Sequence, residues 1–305
     1  MRTLITVLLL LAAASRIFAE EVEEKVVTFP GIKVYVTEKK MEVQGKIAIN
    51  KGILDFFAVA RDGKDYESVL VLFCKPSHFQ AGLILLGLKK GEWLKPKTNV
   101  DGPRKWEINQ GHGDFVDMKV SWKVAEGIKT RLDFYRERLK DVSRDLKLYK
   151  DSMKMDLKPQ MRKNYEKRIN ELSKTAKTLD KKIARMKILL GTTNENERVE
   201  LDACQLIINR ETGKPLENSP WVFTGSRFFK DKEGNEIFAA DTDRSIIAVW
   251  YDHICILNLA KRTKNPYEGE DTGLEINTTV APGKNTPVIL TVIPQKKKEP
   301  STDDK

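Results

Sequence analysis

Residues 128–190 read IKTRLDFYRERLKDVSRDLKLYKDSMKMDLKPQMRKNYEKRINELSKTAKTLDKKIARMKILL, and their apolar residues keep a heptad beat on either side of one proline. Ile128, Leu132, Tyr135, Leu139, Val142, Leu146, Tyr149 and Met153 step by four and three. After Pro159 the beat resumes through Met161, Tyr165, Ile169, Leu172, Ala176, Leu179, Ile183, Met186 and Leu190. Sustained spacing of this kind predicts the apolar seam of a coiled coil. Gly127 stands before the first helix, Pro159 suits the first turn of the second, and Gly191 suits a left-handed terminator. The break at Lys158-Pro159 predicts an antiparallel return whose ends, Val124 and Thr192, lie close together. The competing arrangement is one continuous helix, kinked at Pro159, that dimerises in trans.

Outward from this stretch the texture changes to strands and turns. Val26–Phe29, then Ile32, Val34 and Val36, then Met41, Val43, Ile47 and Ile49 alternate with polar residues, the period of half-buried strands. Pro30-Gly31 punctuates them. Ile53–Ala60 is an apolar run buried on more than one side, and Arg61-Asp62-Gly63-Lys64 reads as a tight hairpin turn into a return strand from Tyr66 to Phe73. Pro76 opens a short apolar helix through Phe79, Leu83 and Leu86, closed by Gly87 or Gly91. Glu92–Gly113 is loop-like, and Asp114–Val124 alternates again. Beyond the heptads, strands are predicted over Arg198–Ile208, Trp221–Phe228, Ile237–Ala240, Ser245–Trp250, Leu274–Ile276 and Val288–Ile293. The fold class that follows is α+β, mainly β: a strand-rich body with one short buried helix and an inserted antiparallel coiled-coil hairpin. The body is divided into halves, 20–127 and 192–294, with the insertion at 128–191 and a tail over 295–305. From Gln295 the tail holds no apolar residue, a composition that favours disorder.

The N-terminus reads as an address. Arg2 supplies a positive start, Leu4–Ala14 an apolar run too short to span a bilayer, and Ile17-Phe18-Ala19 an exit before Glu20 and Glu21. A secretory leader over 1–19 makes the mature protein soluble and exported, periplasmic or secreted. The alternative is a cytosolic protein with an apolar N-terminus. Three cysteines, Cys74, Cys204 and Cys255, would then meet an oxidising compartment. One disulfide with a thiol left over is allowed, with Cys204 and Cys255 as the pair in view; three buried free thiols are the other reading.

The formal charge of the 305 residues is +10. Its location decides what it means. Residues 128–190 hold 20 Lys and Arg against 9 Asp and Glu, whereas the rest of the chain beyond residue 19 holds 32 against 35. The basic character belongs to the heptad segment alone, so the high pI does not argue for a nucleic-acid-binding fold.

Candidate chemistry is sparse. Glu67, placed after a turn, would become a general acid if burial raised its pKa; a hydrogen-bonded structural carboxylate is the plainer reading. His253 and Cys255 would share one face of a strand, and Cys74 and His78 have helix-turn spacing, so these four would form a metal site if the fold brought the two pairs together. The third histidine is His112. Thr224-Gly225-Ser226 matches neither a nucleophile elbow nor a phosphate loop. Asp241-Thr242-Asp243 reads as a turn with Asx hydrogen bonds. No cofactor is expected.

Several segments together resemble the YdjY-type domain, a family of uncharacterised extracytoplasmic bacterial proteins. They are Gly52–Ala60, Gly63–Val69, Lys75–His78, Leu85–Leu88, Trp221–Ser226 and Pro282–Pro287, in that order over most of the body. The heptad segment lies outside the resemblance. The family often carries His before the Glu of its H-E-S stretch, where this chain has Tyr66, which weakens any His-Glu chemistry. Some relatives bear a ferredoxin-like label, but three scattered cysteines do not meet the four-thiolate requirement of an iron–sulfur cluster.

The expectation for function is an exported, non-catalytic binding or assembly module whose helical arm contacts an unknown protein or an anionic envelope component. Its contact surface is Lys163, Lys167, Arg168, Lys174, Lys177, Lys181 and Lys182, set against the plainer reading of a solvated helix face. Self-association through the coiled coil is a further option, and nucleic acid is not expected. The rival is a metal-binding protein or enzyme using Glu67, His78 and the Cys/His cluster.

Overall fold

The computed structural model describes residues 24–91, 95–96, 106–107, 113–217, 219–260, 266, 269 and 271–295. The expected leader, most of the loop over 92–112 with His112, and the tail from 296 lie outside the described residues. The first half contributes strands β1 (Val26–Phe29), β2 (Ile32–Tyr35), β3 (Lys40–Ile47), β4 (Phe56–Ala60), β5 (Ser68–Leu72), β6 (Lys95–Pro96), β7 (Trp106–Glu107) and β8 (Phe115–Lys123), with helix α1 (Pro76–Leu85) after β5. Two long helices follow, α2 (Val124–Ser152) and α3 (Pro159–Thr192). The second half contributes β9 (Arg198–Asp202), β10 (Ile207–Asn209), β11 (Trp221–Phe223), β12 (Phe228–Lys230) and β13 (Glu236–Phe238). Helix α4 (Ala239–Asp243) then leads into β14 (Ser245–Ala248), β15 (Leu257–Leu259), β16 (Leu274–Ile276) and β17 (Pro287–Pro294).

Eight strands close a ring in the order β3, β17, β8, β11, β15, β14, β4, β5, and β5 pairs back onto β3. Closure leaves the ring without a free edge. Period-2 patterning supplies the inner face. Met41, Val43 and Ile47 of β3, Val116, Met118 and Val120 of β8, and Val288, Leu290 and Val292 of β17 are buried, while Asp117, Lys119 and Lys123 are exposed. Strand β3 serves three neighbours: β17 along one edge, and on the other β2 at Lys40–Val43 and β5 at Gly45–Ile47. Gly45 marks the handover. A Cβ there would lie 2.7 Å from the Val71 carbonyl oxygen, so only glycine lets the two backbones approach.

Strands β4, β5 and β14 are buried at every residue, as suits strands covered on both faces. Helix α1 packs on β2, β14 and α4. The expected hairpin at Arg61–Lys64 is overturned: β4 and β5 run parallel, with Phe56 beside Ser68 and Ala60 beside Leu72. Asp62 does take the left-handed conformation of a tight turn (φ 63°), but a 3-10 turn at Asp65–Glu67 then carries the chain back before β5 begins. Helix α1 starts with Pro76 in its first turn and ends at Gly87 (φ 85°), where the Gly87 and Leu88 amides donate to the Ile84 and Leu83 carbonyls. It is buried on one face only, since Ile84 and Leu85 are exposed.

The two long helices leave the barrel from β8 and return to it at β9, and these two strands pair antiparallel from Lys119–Asp202 to Lys123–Arg198. Helix α2 begins at Val124, four residues before the first heptad position, so Gly127 lies inside it. There it packs closely, its missing Cβ 3.2–3.3 Å from Pro282 and Trp122. Gly191 is likewise helical and is not a left-handed terminator; α3 ends at Thr192, and Thr193 is extended. The Thr192 and Thr193 hydroxyls donate to the Ile188 and Leu189 carbonyls, which gives the last turn side-chain partners in place of a glycine cap.

Along the helices, every seam position named above is buried or half-buried except Met161, which is exposed. Val142, Leu172 and Leu179 form a core of their own, packed by Tyr135, Leu139, Leu146, Tyr149 and Ala176 and separate from the barrel core. Tyr149 meets Tyr165 edge-on with ring centres 5.1 Å apart, and Lys182 Nζ lies 5.2 Å from the centre of the Tyr135 ring.

Candidate functional site

The seven basic residues of the expected contact surface are all exposed on α3. Arg168 pairs with Glu171 at 3.2 Å, and Lys182 rests on Tyr135. The remaining five, Lys163, Lys167, Lys174, Lys177 and Lys181, make no ion pair within 4.0 Å among the described residues. The two helices divide the charge unevenly. Helix α2 has eight Lys and Arg against six Asp and Glu, and α3 ten against three. Glu126, Asp133, Asp141 and Asp151 engage Lys129, Arg136, Arg144 and Lys154 at i,i+3. The excess positive charge therefore resides mainly on α3. Its attachment to the body is confined: among the described residues, hydrogen bonds from the helices to the body come from Val124, Thr130 and Arg131. The Val124 amide donates to the Glu197 carbonyl, Thr130 and Thr286 share a hydroxyl hydrogen bond, and Arg131 donates to the Ala281 carbonyl.

The second concentration of polar groups is buried at the barrel, around the 249–256 loop. Asp252 is 2% exposed; its amide donates to Asn258 Oδ1 at 2.8 Å and its Oδ1 accepts the Ile254 amide at 2.8 Å. Asn258 Nδ2 donates to Thr224 Oγ1 at 2.7 Å, and Thr224 donates to the Cys255 and Ile256 carbonyls. Cys255 Sγ lies 3.8 Å from Asp252 Oδ2. Burial pushes the Asp252 carboxyl up to about 6 against the pull of the Ile254 amide, with Asp243 raising it further and Lys64 opposing. Sequence reasoning passed over Asp252 and Asn258; the signal was an Asx turn, Asp252 followed two residues later by the amide it accepts.

Glu67 sits half-buried at the end of the 3-10 turn rather than on a strand. Burial raises its pKa, Asp55 and Asp243 add to the rise, and Lys64 opposes it. Asp55 is raised in the same direction, first by burial and then by Asp271. These carboxylates share Lys64 as a neighbour, yet no three His, Cys, Asp or Glu side chains among the described residues form a group that could hold a metal ion.

That finding bears on Cys74, His78, His253 and Cys255, which the structure does not assemble into a ligand set. His78 stacks on Phe29, ring centres 5.2 Å apart, in the first turn of α1. Cys74 precedes that helix, where the Ser77 amide donates to Asp241 Oδ1 and Lys75 pairs with Asp241 Oδ2 at 3.1 Å. Asp241 is thus a helix-capping carboxylate supplied by another element, as suits a helix N-terminus. His253 and Cys255 lie in the loop between β14 and β15, not on a strand face, and burial lowers the His253 pKa. Of the two readings left open for the cysteines, the structure takes the second: Cys204 and Cys255 are not joined, and all three cysteines are buried free thiols. Cys204 sits on a 3-10 turn with its Sγ 3.5 Å from the Ser219 carbonyl, away from the Asp252 neighbourhood of Cys255. Burial pushes Cys74 up to about 12 and Cys204 up to about 11, so these thiols stay protonated and poorly nucleophilic.

No family model, no curated protein and no solved structure matches this chain.

Proposed function

We propose that this protein is an exported, non-catalytic binding or assembly module whose two long helices form an antiparallel coiled-coil hairpin serving as its contact arm. The observation that carries the reading is the separation of charge. The segment 128–190 holds +11 while the rest beyond residue 19 holds −3, and the basic residues stand exposed on helices rooted through Val124, Thr130 and Arg131. The buried heptad positions and the meeting of Tyr149 with Tyr165 support the hairpin. Export is supported by the leader-like first nineteen residues and by the resemblance to YdjY-type extracytoplasmic proteins; among the described residues no helix is long and apolar enough to cross a membrane. A partner with excess negative charge, an acidic protein or an anionic component of the cell envelope, would gain association rate from this arm at low salt.

The test uses the pairing of β8 with β9. A short Gly-Ser linker in place of 128–190 can bridge their ends, so the body should keep its circular dichroism and melting transition. Salt-sensitive capture of partners from envelope extract, or salt-sensitive self-association, should be lost. A body that unfolds on this replacement would overturn the reading, because the helices would then be part of its core.

A further inference from the structure

We propose that α3 binds a linear polyphosphate-type chain, its charges in single file, along one row of lysines; the inference rests on the contact-arm reading and names the partner's class. Residues 163, 167, 170, 174, 177 and 181 follow the alternating four-three step that keeps one line on a helix, offset from the seam. They are Lys163, Lys167, Asn170, Lys174, Lys177 and Lys181, each exposed. At 1.5 Å per residue the row is about 27 Å long. It contains no carboxylate, and then gives out at Ala184 and Ile188.

The borders of the row decide the shape of the partner. Along the length of the row run Glu166, Ser173 and Asp180 on one side and Asn164, Glu171 and Thr178 on the other, all neutral or acidic; the next residues on these lines, Lys187 and Arg185, lie past the last lysine of the row. A planar anionic surface laid on this face would meet those three carboxylates as well as the lysines. A single-file chain meets the lysines alone. The row also excludes arginine, although α3 holds Arg162, Arg168 and Arg185 elsewhere. Arginine's planar fork holds carboxylate or phosphate in one fixed bidentate geometry, whereas lysine is a point charge on a flexible stem, so the row sets no azimuth and suits successive phosphates of a flexible chain. No aromatic side chain stands in the row to stack a base, which sets single-stranded nucleic acid aside.

The full chain should be titrated with labelled inorganic polyphosphate across a salt series. Five lysines neutralising five phosphates give a slope of about −3.5 for log affinity against log salt, or about a hundredfold loss between 50 and 200 mM. Replacing Lys163, Lys167, Lys174, Lys177 and Lys181 with Gln preserves helix propensity and should abolish the binding. Replacing Arg136, Arg138, Lys140, Lys147 and Lys150 of α2 with Gln removes the same charge and should leave most of it. Equal loss in both variants would overturn the proposal, since net charge would then suffice. So would vesicles of anionic lipid or an oligothymidylate binding as tightly through the same lysines. Failure of polyphosphate to bind at all overturns the partner class alone, while the contact-arm reading stands or falls on the linker replacement.

Discussion

At the scale of the residue, Asp252 is a carboxyl whose ionisation the fold plainly resists. Its carboxyl is buried and held near 6, above the ordinary carboxylate range, so between about pH 4 and 6 the folded chain binds a proton that the unfolded chain has released. The sign follows: this group's contribution to stability is greatest at and below about pH 4, falls as pH rises to about 6, and is level above. Asp252→Asn keeps an acceptor for the Ile254 amide and removes the titration. The stability difference between variant and wild type, read by urea unfolding, should therefore move in the variant's favour by roughly 1–3 kcal/mol from pH 4 to 7. A difference constant over that range would mean the carboxyl is not held neutral. The thiols make a second prediction at this scale. A thiol-specific reagent at neutral pH should label none of Cys74, Cys204 and Cys255 in the native protein and all three once it is unfolded. A count of one on unfolding would restore the disulfide. Buried free thiols were one of two readings of the cysteines, whereas the burial of Asp252 was not legible, because it is a property of elements that meet from distant parts of the chain, as Thr224 meets Asn258.

At the scale of the element, what could be read depended on whether the signal was local. The heptad residues from Ile128 to Leu190 mark two helices because four-three spacing sets them on one face of their own helix, a local property, and Pro159 sets the start of the second from its own ring geometry. The helix ends were misplaced where glycine was read as punctuation. Gly127 is there to let Trp122 and Pro282 close on α2, and Gly191 has no role in stopping α3. Asp62-Gly63 failed as a hairpin for a related reason. The dipeptide specifies a local turn, but the 3-10 turn at Asp65–Glu67 carries the chain back before β5 begins, so β5 runs parallel to β4. The seam itself can be tested. Leu172→Ala removes a side chain from a three-residue core and should destabilise the helix pair by roughly 2–4 kcal/mol, seen as faster amide exchange over α2 and α3. Ile188→Ala, at a position 69% exposed, should leave exchange unchanged. Equal effects would show that the seam does not hold the helices together.

At the scale of the whole molecule, barrel closure was out of reach of periodicity. Alternation marks Met41, Val43 and Ile47 as the buried face of a strand, but nothing local states that β3 must accept β5 at Gly45–Ile47 while β2 holds Lys40–Val43. That choice is made by long-range fit, the close approach of Val71 to Gly45 among it. Once the ring is closed, its core and the small core of the helices share no residue. The pairing of β8 with β9 lets the chain leave and re-enter the barrel at one place. Two cores joined at one root should open separately. The distal turns near Ser152 and Pro159 have exposed neighbours and ends to fray, so their amides should exchange by local opening at a free energy well below that of the barrel strands. Arg131→Ala, which removes the contact to the Ala281 carbonyl, should widen the gap by loosening the root while leaving β8 and β17 protected. Hydrogen exchange followed strand by strand and turn by turn decides it: one common opening energy across helices and barrel would make the molecule a single cooperative unit, and an arm that cannot open apart from its body is not an independent arm.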